Sequence, residues 1–225
     1  MGEAMSDEIQ KRAEEELKAI GRSFREGLAE YRKTYGKAPD FVIDGPRVPI
    51  NPQLVADAKL YAERNQIIDS LPKGAVCVEV GVQRGTFSYA IFNRCKPKEL
   101  HLIDLKLDQM TVKYPPREIG KRVHLHEGKS WEVMETFPDD YFDWVYIDGA
   151  HNYASVKKDL IQACRTVKRG GYVICNDYMT WSTSEGYPYG VLPAVNECVN
   201  AMNWPVKALS LHQSGNFDIA FQRPI

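Results

Sequence analysis

The chain has 225 residues, enough for one well-buried core and a small appendage. Its Lys+Arg count of 29 against an Asp+Glu count of 30 leaves a net charge of −1, which offers nothing to nucleic acid or another polyanion. No stretch is long and apolar enough to span a bilayer, and five cysteines without a CxxC pair read as buried thiols in a reducing, cytoplasmic setting.

The charged N-terminus does not resemble a signal peptide. Residues 7–35 then predict one long helix, because Ile9, Ala13, Leu17, Ile20, Phe24, Leu28, Tyr31 and Tyr35 recur in steps of three and four. Such a stripe docks on its own domain or on the same helix of a second subunit, so a homodimer is one expectation. Gly21 and Gly27 weaken it as a free coiled coil. Residues 36–52 carry four prolines and read as a connector. The expected division is therefore an N-terminal helical arm and connector at 1–50 and a main domain at 51–225.

Asn51-Pro52 reads as an N-cap followed by a first-turn proline, opening a helix that runs to about Ser70. Pro72-Lys73-Gly74 turns the chain. Short apolar strands at 75–80, 100–104, 122–126, 143–148 and 171–176 then alternate with helical stretches, which implies a mostly parallel sheet covered on both faces. Tyr153 to Lys168 presents Val156, Leu160, Ile161, Cys164 and Val167 on one helical face, and Arg169-Gly170-Gly171 closes it. A helix over 191–202 precedes strands at 206–211 and 217–222. The short turn between them, with Ser214-Gly215-Asn216, makes that pair antiparallel. The expected fold is α/β: a Rossmann-like, seven-stranded, mostly parallel sheet with helices on both faces, a C-terminal antiparallel hairpin and N-terminal helices.

One stretch carries chemistry. The run Ala75-Val76-Cys77-Val78 enters Glu79-Val80-Gly81-Val82-Gln83-Arg84-Gly85, a helix follows over 86–94, and His101-Leu102-Ile103 ends on Asp104. Glycines allow close backbone approach to a ligand, a helix N-terminus offers free N–H groups, and a carboxylate at a strand end can hold a ribose diol. That pattern describes a nucleoside-cofactor site.

With Glu127-Gly128-Lys129-Ser130, Tyr146-Ile147-Asp148-Gly149-Ala150-His151 and Gly170 to Tyr178 in the same order, residues 50–225 resemble class I S-adenosylmethionine-dependent methyltransferases. Within these the chain looks most like the macrocin O-methyltransferase family. The resemblance implies that Gly81 and Gly85 approach the methionine moiety of S-adenosyl-L-methionine, with N–H groups near Thr86 facing its carboxylate. It implies that Glu79 contacts the amino-acid end, Asp104 the ribose hydroxyls, and Gly128, Lys129 and Ser130 the adenine, with Asp148 bordering the transferable methyl.

Asp148 and Asn176-Asp177 close neighbouring strands, and parallel strands lie about 4.8 Å apart. Three oxygen side chains there suit Mg2+ or a similar divalent cation. Related metal-dependent methyltransferases show Asp-Asn or Asp-Asp where this chain has Asn-Asp. They also carry a lysine general base at the position of His151, and imidazole can take a proton near neutrality. The expected reaction is metal-assisted O-methylation of a small-molecule hydroxyl, on a sugar, phenol or catechol, with Asp148 and His151 catalytic. His101, His124, His126 and His212 read as structural.

Four other readings compete. A non-catalytic module could keep the cofactor fold, an N-methyltransferase could share the same motifs, and a cephalosporin hydroxylase-like relative carries a similar DGxH segment. Tyr153-Ala154-Ser155-Val156-Lys157 matches the YxxxK of nicotinamide-dependent short-chain dehydrogenases, but the TGxxxGxG turn those enzymes need is absent.

Overall fold

The computed structural model describes residues 2–37, 39, 43–183, 185–212 and 215–225, with side chains from Asp7 onward. Residues 38 and 40–42 of the connector, residue 184 and Ser214 of the expected hairpin turn lie outside the described residues. The chain separates into two compact units, Met1–Val42 and Ile43–Ile225.

The first unit is built on α1 (Gly2–Tyr35), which starts earlier than the apolar stripe alone predicts. Surface pairs such as Arg12–Glu16 (3.1 Å) follow the i,i+4 spacing that supports a solvated helix. Ile9, Leu17, Ile20 and Tyr35 of its apolar stripe are exposed.

The second unit opens on α2 (Pro52–Val55), with the Asn51 side chain accepting from Gln53 N–H and Pro52 in the first turn. The single helix expected from 52 to 70 is not formed. Instead α2 stops after one turn, β1 (Lys59–Tyr61) follows, and α3 (Arg64–Ser70) starts afresh. A capping box between Glu63 and Gln66 explains the new start, since it satisfies N–H groups that a continuous helix would bond internally. Next come β2 (Val76–Val80), α4 (Thr86–Cys95), β3 (Glu99–Asp104), β4 (Val123–Glu127), α5 (Ser130–Glu135) and β5 (Phe142–Ile147). The chain ends with α6 (Tyr153–Thr166), β6 (Val167–Cys175), α7 (Val191–Met202), β7 (Val206–Ser210) and β8 (Asp218–Gln222).

These strands form one sheet of eight, not seven, in the order β1-β7-β8-β6-β5-β2-β3-β4. The additional strand is β1, parallel to β7 at the edge. β8 runs antiparallel to both β6 and β7, so the sheet is mixed. β6 begins at Val167, ahead of the start expected at Gly171. Gly170 sits inside the strand with φ +75°, and a Cβ on Gly171 would lie 2.6 Å from the Asp143 carbonyl oxygen. The pairing of β5 with β6 shifts register there, a bulge that Gly-Gly permits.

Alternate strand residues supply the two faces. Val78, Val80, Val145, Ile147, Val173 and Cys175 pack with α6 and α7, while Cys77, Leu100, Leu102, Trp144, Tyr146 and Ile174 pack with α3 and α4. Phe142, Trp144 and Tyr146 have no exposed surface, and each such burial stabilises by about 1.5–3 kcal/mol. His101, His124 and His126 stand together on the outer strands β3 and β4. All five cysteines are free thiols. Among the described residues, no helix is long and apolar enough to cross a membrane.

Candidate active site

From β2 the sheet extends one way through β3 and β4, and from β5 the other way through β6. Loops leaving adjacent strands at such a reversal diverge and open a crevice at the strand C-termini. A cleft of about 610 Å3 lies there. Of the residues named from sequence, Glu79, Gly81, Thr86, Asp104, Gly128, Lys129, Ser130, Asp148 and His151 line it. Gly85, Asn176 and Asp177 do not.

Gly81 adopts φ +87°, and a Cβ there would lie 1.9 Å from the Asp148 carbonyl oxygen. Its need for glycine therefore arises from the backbone leaving β5 as well as from any ligand. Gly85 is the left-handed N-cap of α4, where a Cβ would meet Met110 Cγ at 2.9 Å. No side chain caps this helix, so the N–H groups of its first turn remain free beside Thr86.

Asp104 Oδ2 accepts from the N–H groups of Val82 and Gln83, both at 2.8 Å, and so ties the glycine loop to the end of β3. Lys106 N–H donates to Asp104 Oδ1 at 3.3 Å, and since a carboxylate has about four lone-pair sites, capacity remains for one further donor. Glu79 is 1% exposed, and one of its carboxyl oxygens, Oε2, has no hydrogen-bond partner. Burial pushes its pKa up to about 8, so it is mostly protonated at neutrality. Across the cleft, Gly128 N–H donates to the Asp104 carbonyl (2.9 Å), and Ser130 Oγ donates to Asp159 Oδ1 (2.6 Å). The Ser130 hydroxyl thus fixes the α5–α6 packing. Trp131 carries Lys158 Nζ 4.5 Å above its ring.

Asp148, His151 and Asp177 come together, with ligand-capable atoms within 4.8 Å of one another. His151 Nε2 is 3.3 Å from Asp177 Oδ2 and 3.9 Å from Asp148 Oδ1. Burial works to lower the His151 pKa, but Asp148, Asp177 and Glu185 outweigh this and raise it from the ordinary imidazole value. Burial, reinforced by Asp148, raises the Asp177 pKa while His151 opposes it. The imidazole stacks on Tyr189 with centroids 4.2 Å apart, and its backbone carbonyl accepts from Gly190 N–H (2.7 Å).

Asp177 turns toward the cluster in a left-handed conformation (φ +53°), anchored by Asn216 Nδ2 donating to its Oδ1 at 2.8 Å. The Asn176 Nδ2 donates to Asp218 Oδ1 (2.9 Å) in a buried network that includes the Tyr146 hydroxyl. His151 joins Asp148 and Asp177 in the three-residue cluster.

Sequence reasoning missed Arg64. Placed by the fresh start of α3, its guanidinium lies 3.6 Å from Asp148 and 4.0 Å above the Phe87 ring, at the cleft wall. Burial works against its charge, but Tyr146, Asp148 and Asp218 together raise its pKa. The local signal was the Glu63/Gln66 capping box, which marks Arg64 as a first-turn residue.

Residues 78–178 match the family model described as a methyltransferase domain. Among solved structures, the chain is similar to an S-adenosylmethionine-dependent methyltransferase from Mesorhizobium loti (TM-score 0.55, 10% identity, 71% of this chain and 95% of that one). It is similar also to one from Aquifex aeolicus (TM-score 0.51, 16% identity, 70% and 88%) and to an O-methyltransferase family protein from Burkholderia thailandensis (TM-score 0.51, 15% identity, 71% and 55%). One curated relative, uncharacterized protein R132 of Acanthamoeba polyphaga mimivirus, is 34% identical over 67 residues, which span 30% of this chain and only 28% of that protein.

The cleft fits a cofactor of this class. Glu79 supplies a buried carboxyl oxygen without a partner, and α4 supplies uncapped N–H groups beside it. Residues 78–178 thus match a methyltransferase-domain model, and the fold is shared with S-adenosylmethionine-dependent enzymes.

Proposed function

We propose that this chain transfers the methyl group of S-adenosyl-L-methionine to a hydroxyl of a small molecule, with His151 as general base. The convergence of Asp148, His151 and Asp177 beside the cleft carries this reading. The acceptor oxygen forms its bond to the methyl carbon as the sulfonium S–CH3 bond breaks, and its proton passes to the His151 imidazole. S-adenosylhomocysteine leaves. Asp148 and Asp177 stabilise the imidazolium so formed, while the fold contributes orientation and exclusion of water.

Asp148 and Asp177 are also the carboxylates that would hold a divalent cation of the magnesium class, with His151 as a nitrogen donor that favours a softer ion. Bound there, such a cation would acidify and orient the acceptor hydroxyl. A metal-free variant of the reaction is favoured by one observation: Arg64 already faces Asp148 at 3.6 Å and supplies positive charge at that point.

Calorimetric titration with S-adenosylhomocysteine tests the cofactor, and saturable binding is the expected result. A panel of sugar, phenol and catechol acceptors, with and without chelator, tests the rest. Methylation at oxygen that disappears with chelator supports the cation, and methylation that persists supports His151 acting with its carboxylates. No binding of S-adenosylhomocysteine to folded protein would overturn the proposal in favour of a non-catalytic module. Methylation at nitrogen alone would make the chain an N-methyltransferase.

A further inference from the structure

We propose a second, separate metal site on the outer strands: Glu99, His101 and His124 bind a zinc-class divalent ion away from the cofactor cleft. Their ligand-capable atoms lie within 4.8 Å of one another, and none of the three lines the cleft. The sheet places them together. His101 and His124 are direct partners in the β3–β4 register, and Glu99 precedes His101 by two residues on the same face of β3.

The hydrogen bonding around the cluster is that of a ligand set. His101 Nδ1 is 3.0 Å from His126 Nε2. With the proton on His101 Nδ1, donated to His126, its Nε2 is left as a bare lone pair. Metal-binding histidines are characteristically fixed in this way, by a donor bond from the other ring nitrogen. Glu99 is fixed similarly, since Tyr141 donates its hydroxyl proton to Oε2 at 3.2 Å. Inside the cluster, by contrast, partners are missing. His101 Nε2 and His124 Nε2 are both buried without a hydrogen bond, and His101 as a residue is only 5% exposed.

His101 Nε2 also faces Glu99 Oε2 at 3.7 Å, too far for a hydrogen bond. In that tautomer the bare nitrogen lone pair opposes a carboxylate oxygen, a repulsion that a cation held between them relieves. Two imidazole nitrogens and one carboxylate oxygen match zinc-type coordination at about 2.0–2.2 Å, with a fourth position for water. Magnesium, which prefers oxygen, is disfavoured. Because β4 is a sheet edge, an ion bridging β3 and β4 would hold that edge in place.

Zn2+ titration of tag-free protein, stripped with chelator, tests the assignment in an Asp148→Ala background that disables the cluster at the cleft. One equivalent of Zn2+ is expected to bind and to raise the melting temperature, as any ligand selective for the folded state does. Adding His124→Gln, at a half-buried position, should weaken binding by at least the ~10–100-fold that loss of a supporting partner costs. The melting shift should vanish with it. Co2+ should give visible d–d absorption in the first protein and not in the second. If the His124→Gln protein fails to fold, Glu99→Gln replaces it with the same expectation. Absence of Zn2+ binding in the Asp148→Ala protein, or equal binding after the second substitution, would overturn the proposal.

Discussion

Gly81 and Asp148 meet backbone to backbone: a Cβ on Gly81 would lie 1.9 Å from the Asp148 carbonyl oxygen and 2.4 Å from its carbonyl carbon. The turn that frames the cleft and the strand end that presents Asp148 are therefore fixed by one contact. Gly81→Ala should displace both. Backbone cannot yield as a flexible side chain would, and φ +87° adds strain of its own. A loss of at least ~2 kcal/mol is expected, together with weaker S-adenosylhomocysteine binding. Gly120→Ala is the control, because Gly120 shares a positive φ but a methyl group added there would have nothing within 4 Å. Urea unfolding of both variants makes the comparison, and equal losses would show that strain alone matters.

Glu79 links the cleft to stability against pH. Its folded pKa of about 8 lies above its ordinary value of 4.5, so the folded state holds the proton more tightly. The stability this contributes is complete below pH ~4.5 and is lost as pH rises through about 8. Between pH 5 and 8 the wild type should lose a few kcal/mol more than Glu79→Gln, on the order of 1.4 kcal/mol per unit. Urea midpoints at the two pH values check this. Parallel curves for the two proteins would mean that Glu79 does not titrate in this range.

The unequal legibility of these features has physical causes. The strands around Glu79, Gly81 and Asp104 announce themselves because apolar runs end in glycine and acid, and burial from both faces leaves little choice of residue. β1 gives no such signal: Lys59 and Leu60 are exposed, and the strand exists through backbone pairing with β7. The start of β6 was hidden because Gly170-Gly171 reads as a helix stop, although here it permits a bulge. Adjacent Asn176 and Asp177 could not be separated from sequence either. Beyond the last residue of β6 the two-residue alternation ends, and the left-handed turn at Asp177 decides which side chain joins His151.

Arg64 tests how tertiary placement sets the charge of the site. Its side chain is 34% exposed, so solvent weakens its attraction to Asp148, and little effect on stability is expected from Arg64→Met. The expected effect is on His151. With the guanidinium gone, Asp148 acts on the imidazole without opposition, and the acid limb of the pH–rate profile should move to higher pH. A limb that stays in place would show that Arg64 does not reach the base electrostatically.

His151 itself gives the test of the chemistry. A general base works when deprotonated, and burial alone would put its pKa below 6.5; Asp148, Asp177 and Glu185 reverse this and raise it. Methyl transfer should therefore increase with pH along a limb above the ordinary histidine value. Asp177→Asn removes one raising charge and should shift that limb downward, opposite to Arg64→Met. His151→Ala should lower kcat by the ~10²–10⁴-fold that general bases contribute, with S-adenosylhomocysteine affinity kept. Rates measured from pH 5.5 to 9.5 with a fixed acceptor distinguish the three variants. If His151→Ala retains both the rate and the limb, the proton leaves by another route and the cluster serves only to position the acceptor.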